Sequence, residues 1–342
     1  MRRFLILLLV LAAGCAPDGE RAAPEETSTA APSGQAPTES PAPMSHGEAT
    51  VGDLAQPLER GAEAPARSAA RFHRIRMTTA HVRHMVARNV LYDAWTFDSV
   101  VPGPVVRVTV GDTVEFTLVN VSPMQHSMDF HAAEIAPSRA YVNVNPGDSL
   151  SFRFVARVPG AFMYHCGTAP VAAHIANGMY GAIIVDPRTP LPPAREFVLV
   201  QSEFYLGQPF GPDSLRRLDW DRMLGLAPDH VVFNGVAGQY ASHPLQVDPG
   251  ELVRFYVVNA GPNRVSAFHV VGAVFDRVYA GGFGAPLQGV QTWNVPVGGG
   301  AVFDFRLVEE GLYPFVSHAF ADATKGAVGI LRAGQPAGTM SH

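Results

Sequence analysis

"PGPVVRVTVGDTVEFTLVN", residues 102–120, alternates apolar and polar residues on both sides of a central Gly-Asp pair. Alternation with a period of two is typical of a β-strand with one buried face, and a Gly-Asp pair between two such runs indicates a turn. The stretch "SHPLQVDPGELVRFYVVN", residues 242–259, repeats this pattern, with Gly250 at the place of Gly111. The sequence therefore predicts the same pair of strands twice.

Two further pairs of segments follow in the same order and extend the repeat. "PGAFMYHC" (159–166) is similar to "EEGLYPFVSH" (309–318), and "GMYGAIIVDP" (178–187) is similar to "TKGAVGILRA" (324–333). Short strands at this spacing are typical of β-sandwiches. We therefore predict an all-β chain with one sandwich domain over residues 70–188 and a second over residues 195–334.

The chain begins with a segment that is typical of a secretory signal. "MRRFLILLLVLAAGC" has two arginines and then an apolar run that is too short to span a bilayer. Its last four residues resemble a bacterial lipobox, so we expect residues 1–15 to be a signal peptide and Cys15 to carry a lipid. The alternative is an ordinary cleaved signal in which Cys15 has no role. The lipoprotein interpretation predicts an exported protein of the periplasm or cell envelope, attached to a membrane only through its lipid anchor.

Two other segments lack the composition of a folded domain. Residues 16–69 are rich in Ala, Pro, Glu, Ser, Thr and Gly, and such a segment cannot bury enough apolar surface to offset its ordering entropy. We predict a disordered tether there and a flexible tail over residues 335–342. The formal net charge of the chain is −5 and it has no basic stripe, so the sequence predicts no nucleic-acid partner.

The segment "YHCGTAPVAAHIANGMYG", residues 164–181, carries Cys166, His174 and Met179 at short intervals, and His126 lies upstream. Two imidazoles, one thiolate and a weak thioether form the trigonal site of blue copper proteins. The alternative is a buried structural cysteine among core histidines. The complete set favours a copper site, because the cysteine, histidine and methionine share one loop and the detached histidine completes the coordination.

Two neighbouring histidines predict a second copper. His131 lies an odd number of residues after His126, and His165 is adjacent to Cys166, so both side chains point away from the first site if they lie on strands. A third imidazole is expected, and His318 in the second domain is the candidate. Three histidines would hold a copper with an open position, as a catalytic site requires.

With these residues, the sequence resembles the copper-containing nitrite reductases, in particular the branch found as outer-membrane lipoproteins. The resemblance covers both predicted domains and rests on the segments "HSMDFHAA", "YHCGTAPVAAHIANGMYGAIIV", "FNGVAGQ", "SAFHVVGAVFDRVY" and "YPFVSHAF". It implies two tandem cupredoxin-like Greek-key β-sandwiches assembled as a homotrimer. It also implies a residue set: His126, Cys166, His174 and Met179 for type 1 copper, His131, His165 and His318 for type 2 copper, and Asp129 and His269 as the catalytic pair.

The same resemblance implies the reaction, which is the one-electron reduction of nitrite to nitric oxide. Electrons would enter at type 1 copper from a periplasmic cytochrome c or a small blue copper protein. They would pass to a type 2 copper between subunits, where the neighbouring chain supplies His318. This sequence departs from the family at two places: the stretch after His131 is not glycine-rich, and Val271 stands where isoleucine is usual.

Two other functions are compatible with parts of the pattern. A two-domain laccase-like oxidase needs paired His-x-His motifs, which are absent, and a cysteine near the end of the chain, whereas none follows Cys166. A blue-copper electron carrier without catalysis would require the three type 2 histidines to be coincidental. Metal content and nitric oxide release distinguish these alternatives from a nitrite reductase.

Overall fold

The computed structural model describes residues 61–211 and 213–336. The predicted signal peptide, Cys15, most of the tether and most of the tail lie outside the described residues. Within the described part of the chain, no helix has the length and apolar character needed to cross a membrane. Strands account for most of the regular structure, which confirms the prediction of an all-β fold.

The strands of the first half form two sheets whose orders are β2-β1-β4-β6 and β3-β8-β7-β5. Phe116, Phe130 and Phe152 contact one another between these sheets, with ring centroids 5.0–6.4 Å apart. Along strand β4 the apolar Val114, Phe116 and Leu118 are buried and the polar residues between them are half-buried, as the sequence pattern predicts. The strands are β1 Phe72–Ala87, β2 Val90–Phe97, β3 Val106–Thr109, β4 Thr113–Asn120, β5 Asp129–Phe130, β6 Ser149–Val155, β7 Gly160–His165 and β8 Tyr180–Asp186.

The strands of the second half form two further sheets, with orders β10-β9-β12-β16-β14 and β11-β18-β17-β13-β15. A continuous buried cluster of aromatic and aliphatic side chains fills the space between them, with Phe255, Phe268 and Phe303 among its fully buried members. The strands are β9 Arg195–Phe204, β10 His230–Phe233, β11 Leu245–Val247, β12 Leu252–Gly261, β13 Ser266–Val270, β14 Arg277–Ala280, β15 Thr292–Val295, β16 Gly300–Arg306, β17 Gly311–Ser317 and β18 Val328–Ala333.

The helices are short and lie in the connections between strands. Helix α2 follows strand β7 and carries His174 in its last turn, and helix α5 occupies the corresponding place after strand β17. The helices are α1 Pro137–Ala140, α2 Val171–Ala176, α3 Trp220–Leu224, α4 Gln239–Ser242 and α5 Phe320–Ala323.

The two halves share one topology. In each half the first strand pairs in parallel with the strand after the predicted turn, β1 with β4 and β9 with β12. The turn glycines Gly111 and Gly250 have φ values of 91° and 79°, a region that glycine enters without steric cost. The second half adds one edge strand to each sheet, β14 and β15. These sheets agree with the predicted repeat, and the domain limits at 70–188 and 195–334 stay a prediction.

The two halves meet through a buried apolar layer that includes Ala161 and Ile184 from the first half and Val200 and Tyr256 from the second. A buried ionic network lies beside it. Arg107 Nε donates to Asp186 at 2.8 Å, and Arg107 Nη1 donates across the halves to Glu196 at 2.7 Å. Apolar burial and paired charges therefore fix the first half against the second.

Residues 61–69 fall within the segment predicted as tether, yet they contact the folded chain. Ala62 is buried, and its carbonyl accepts a hydrogen bond from Val198 N at 2.7 Å. Ala64 N in turn donates to Glu196 O at 3.0 Å, so this stretch runs along strand β9. Composition did not predict this contact, because backbone hydrogen bonds to a strand edge need few apolar side chains.

Candidate copper centres

The first candidate site brings together His126, Cys166 and His174, whose potential ligand atoms all lie within 4.8 Å of one another. Cys166 Sγ is 3.8 Å from His126 Nδ1, and the two imidazole rings are 5.3 Å apart between centroids. All three side chains are buried. A detached histidine and a loop with a cysteine and a histidine thus converge as the sequence predicted.

Backbone hydrogen bonds place Met179 beside the same group. Its carbonyl accepts from Cys166 N at 3.0 Å, and its own N–H donates to His174 O at 3.1 Å. Met179 is fully buried. The glycine before it, Gly178, has a φ of 116°, and this left-handed conformation turns the chain from helix α2 into strand β8. The loop therefore holds the cysteine, the second histidine and the methionine in one compact unit.

The chemistry of this donor set fits copper. Burial, with smaller contributions from His174 and His81, lowers the pKa of His126 to about 2, and burial also lowers the pKa of His174. Both imidazoles are therefore neutral and keep a lone pair for a metal. Burial raises the pKa of the Cys166 thiol, and a nearby metal cation would offset that effect, because metal binding favours the thiolate. Two neutral imidazoles, a soft thiol and a thioether suit copper better than a hard cation.

The sequence analysis missed three side chains around this site, Ser127, Thr168 and Trp95. Ser127 N donates to Cys166 Sγ at 3.4 Å, and Ser127 Oγ accepts from Gly167 N at 2.9 Å. Thr168 also hydrogen-bonds to the sulfur and, like Ser127, lowers the thiol pKa in part. The Trp95 ring lies 5.1 Å from that of His174. Ser127 follows a ligand directly, so its position could have suggested a role, but Trp95 is brought in only by strand pairing.

The second candidate site groups Asp129, His131 and His165, again with ligand atoms within 4.8 Å of one another. The Nε2 atoms of the two histidines are 3.1 Å apart. Asp129 Oδ2 is 3.9 Å from His131 Nε2 and 3.7 Å from His165 Nε2. The predicted catalytic carboxylate therefore faces the two predicted type 2 ligands, although strand β5 ends at Phe130, before His131.

Both histidines of this second site are oriented by backbone carbonyls. His131 Nδ1 lies 2.9 Å from Gly298 O, and His165 Nδ1 lies 2.8 Å from Cys166 O. A carbonyl can only accept, so each Nδ1 carries the proton and each Nε2 presents its lone pair to the space between them. This arrangement is typical of metal-binding histidines. Burial lowers the pKa of His165 despite the carbonyl contact, which keeps that ring neutral.

The third predicted type 2 ligand, His318, does not join this group in the described chain. It lies with His269, the second predicted catalytic residue, at a ring distance of 5.2 Å. The His318 side chain is exposed, and the ring of Phe320 lies 4.7 Å away. His269 Nδ1 is 2.6 Å from Gln291 O, so its Nε2 is directed elsewhere. The chain therefore has two partial clusters, one in each half.

Comparison with known proteins gives the family. A multicopper oxidase family model matches residues 78–190. The copper-containing nitrite reductase of Neisseria meningitidis serogroup A is 42% identical over 265 residues, which cover 76% of this chain and 69% of that protein. The chain belongs to the copper-containing nitrite reductase family. The family's enzyme from Neorhizobium galegae is 35% identical over 266 residues, covering 69% of this chain and 68% of the relative.

Solved structures agree with this family and with the cupredoxin fold. Copper nitrite reductase from Nitrosomonas europaea at pH 8.5 superposes with a TM-score of 0.71 at 40% identity, covering 77% of this chain and 94% of that chain. The copper-containing nitrite reductase from Thermus scotoductus has a TM-score of 0.70 at 32% identity, covering 79% of this chain and 62% of that chain. A multicopper oxidase at 24% identity and a TM-score of 0.68 shows likeness of fold alone. The family membership implies copper as the cofactor, as predicted.

The repeat identifies the residues of the second half that are equivalent to the predicted copper ligands of the first half. Asp129 pairs with His165 across β5 and β7, and His269 pairs with Val316 across β13 and β17. The two predicted catalytic residues therefore occupy equivalent strand positions. Counting along the chain from these pairs matches His126 with Ser266 and Cys166 with Ser317. Both serines are buried, and neither hydroxyl has a hydrogen-bond partner among the described residues.

The ligand loop of the first half has the same backbone bonds as the α5 loop of the second half. Ser317 N donates to Ala327 O at 3.0 Å, as Cys166 N does to Met179 O. Ala327 N donates to Asp322 O at 3.1 Å, as Met179 N does to His174 O. In the second half the frame is kept, and the positions of the four predicted copper ligands hold Ser266, Ser317, Asp322 and Ala327.

Proposed function

We propose that this protein reduces nitrite to nitric oxide, consuming one electron and two protons and releasing one water. The observation that carries the proposal is that His165 and Cys166 are consecutive, so a single peptide links two clusters of copper-type ligands. Membership of the copper-containing nitrite reductases supports the same reaction. An oxidase or a pure electron carrier is not favoured, because relatives over both halves are nitrite reductases.

We assign the first copper, type 1, to His126, Cys166, His174 and Met179. We assign the second copper, type 2, to His131, His165 and His318. When bound, copper would supply a one-electron centre at the first site and, at the second, a Lewis acid with an open position for nitrite. The neutral imidazole of His126 supports the first assignment. The Nδ1 atoms of His131 and His165, which are oriented by backbone carbonyls, support the second.

Asp129 and His269 are proposed to supply the two protons. The Asp129 carboxyl lies at the mouth of the second cluster, within 4 Å of both imidazoles, and can transfer a proton to a bound nitrite oxygen. His269 keeps its Nδ1–H on Gln291 O, which leaves Nε2 to receive and pass on the second proton. Each group exchanges protons with solvent, because neither side chain is fully buried.

Assembly completes the second site in this proposal. His318 and His269 lie together in the second half, and within the described chain His318 does not join the group of Asp129, His131 and His165. A homotrimer in which one chain's His318 and His269 meet the neighbour's Asp129, His131 and His165 supplies the missing ligand. We further propose export to the periplasm or cell envelope, a lipid anchor at Cys15, and a one-electron donor of the cytochrome c or small blue copper class.

Metal content and turnover test the function together. We expect two coppers per chain, an intense thiolate-to-copper absorption, and nitric oxide release from nitrite with a reduced dye as electron donor. His126→Ala should lose the absorption and keep the second copper, whereas His131→Ala should keep the absorption and lose the second copper. Oxygen consumption without nitric oxide release would indicate the oxidase instead. Simultaneous loss of both coppers in both variants would contradict two separate sites.

A further inference from the structure

Among the aromatic residues that the structure describes, only Trp95 has its ring beside both imidazoles of the first site. Its ring centroid lies 5.1 Å from that of His174 and 6.3 Å from that of His126, with interplanar angles of 65° in both cases. A third histidine, His81, stacks on the same indole at 5.5 Å and 13°. Trp95 is 1% exposed, so the indole separates this side of the site from water.

The backbone of Trp95 is bonded to the ligand loop as well. Trp95 N donates to Asn177 O at 2.9 Å, and Asn177 lies between His174 and Met179 in sequence. Asn177 is itself held by the Tyr92 hydroxyl, which donates to Asn177 Oδ1 at 2.7 Å. Strand β2 therefore fixes both the main chain of the loop and the rings of two predicted ligands.

The second half of the molecule provides an internal control. Thr79 pairs with Asn120, the last residue of β4, and Gln201 pairs with Asn259, its equivalent on β12. On their other side Thr79 pairs with Phe97 and Gln201 pairs with Phe233, so these two phenylalanines are equivalent. Two residues before each phenylalanine stand Trp95 in the first half and Val231 in the second. The half that lacks the copper ligands also lacks the indole.

We propose that Trp95 is a positioning residue that orients the His126 and His174 imidazoles and raises the reduction potential of type 1 copper by excluding water. With one thiolate and neutral imidazoles, the oxidised site carries a net positive charge and the reduced site carries none. An apolar, water-free surrounding penalises the charged state and so favours reduction. This inference rests on the proposed type 1 assignment, but it does not require nitrite turnover.

Redox titration of the thiolate absorption in the copper-loaded full chain tests the proposal. Trp95→Val, which introduces the residue of the second half, should lower the equilibrium constant for reduction by a fixed donor about tenfold, or about 59 mV for a one-electron couple. Trp95→Phe keeps an apolar ring and should shift the constant by less than about threefold, or about 28 mV at the same conversion. If Trp95→Val fails to hold copper, Trp95→Leu takes its place with the same expectation of a lower potential.

Trp220→Val is the matched control, because Trp220 packs near helix α2 through a separate apolar cluster with Ala176 and Met223. Trp220→Val should destabilise the fold. It should leave the equilibrium constant for reduction within about twofold of the value for the unmutated chain. A potential for Trp95→Val or Trp95→Leu equal to that of the control would overturn the proposal. Missing thiolate absorption or missing nitric oxide release in the unmutated chain would instead count against the proposed function.

Discussion

Ser127 stabilises the turn that carries the cysteine, because its buried hydroxyl accepts the Gly167 N–H at 2.9 Å. Ser127→Ala leaves that buried donor without a partner, which costs about 1–3 kcal/mol. We expect the free energy of unfolding of the copper-free protein in urea to fall by that amount. Ser151→Ala is the control, since its hydroxyl bonds Thr117 at an exposed position and should contribute less than about 0.5 kcal/mol. Equal losses in the two variants would contradict this account.

Asp129 faces both imidazoles of the second cluster, at 3.7 and 3.9 Å. Asp129→Asn keeps the shape and removes the titrating proton, so we expect turnover to fall about 10²-fold or more with both coppers retained. His269→Ala should behave similarly. The double variant should lose less than the product of the two, because the residues are proposed to act in one proton relay. Nearly normal turnover in Asp129→Asn with full copper would show that protons arrive by another route.

The sequence predicted that His126, Cys166 and His174 lie together, but it did not predict the side chains around them. Cys166, His174 and Met179 are recognisable because copper restricts both the type and the spacing of its ligands. Trp95 could not be found this way, since its contact with His174 depends on how strand β2 lies across the ligand loop. Asp129 and His269 were suggested by family resemblance alone. Their equivalent positions in the two halves became visible only through strand register.

The turn from helix α2 into strand β8 depends on Gly178. Its φ is 116°, and a Cβ there would lie 2.9 Å from Val101 Cγ2 and 3.0 Å from Trp95 O. Gly178→Ala should therefore suffer both backbone strain, of about 1–3 kcal/mol, and a steric clash that displaces Met179. We expect a lower unfolding free energy together with a changed thiolate absorption.

Gly147→Ala is the matched control for this turn. Gly147 also has a positive φ, 85°, but a Cβ there meets nothing within 4 Å. It should cost stability through strain alone and leave the absorption unchanged. If both variants altered stability and absorption equally, the close approach of strand β2 to the ligand loop would have no influence on the site.

Strands with alternating burial and glycine turns were predictable, because period and turn chemistry are local properties of the sequence. The edge strands β14 and β15 and the contact of residues 61–69 with strand β9 were not. Edge pairing depends on backbone groups that every residue carries, so composition gives little indication of it. The same limit applies to helix α5, whose correspondence with α2 is evident from its hydrogen bonds rather than its residues.

Glu196 links the two halves, accepting hydrogen bonds from Arg107 at 2.7 Å, Arg254 at 3.1 Å and the Tyr256 hydroxyl at 3.0 Å. Burial acts to raise its pKa, but the bond and charge of Arg107 and the bonds from Tyr256 and Arg254 together outweigh burial and hold the pKa below its ordinary value. A depressed carboxyl pKa stabilises the fold above the unfolded pKa of about 4.3. That stability is lost as pH falls through the folded value.

Glu196→Gln should therefore lower the unfolding free energy by roughly 1.5–3 kcal/mol at neutral pH, and the difference should shrink below about pH 4. Urea titrations of copper-free protein at several pH values measure this. Glu63→Gln is the control, because Glu63 forms an exposed pair with Arg195 and should show a small effect at every pH. A difference that stays constant from neutral to acid pH would contradict a role for the Glu196 charge.

Assembly can be tested by mixing two inactive chains. His131→Ala chains keep His318, and His318→Ala chains keep His131. In a mixed trimer, the boundary at which the first kind supplies His318 and the second kind supplies His131 would contain one complete second site. We expect trimers reassembled from both variants to recover part of the nitrite turnover, while each variant alone stays inactive. Purification through two distinct tags selects assemblies that contain both variants, and light scattering verifies that they are trimers. Mixed trimers without any activity would show that His318 does not act across a subunit boundary.

The backbone frame that holds the predicted type 1 ligands in the first half recurs in the second with serine, serine, aspartate and alanine in their places. Its hydrogen bonds, Ser317 N to Ala327 O and Ala327 N to Asp322 O, have the same lengths as their counterparts. Such a frame does not need a metal in order to form. The two halves are thus copies of one structural module, whose backbone frame forms with either set of side chains. Gain or loss of a copper during descent then required a change of a few side chains and no new fold.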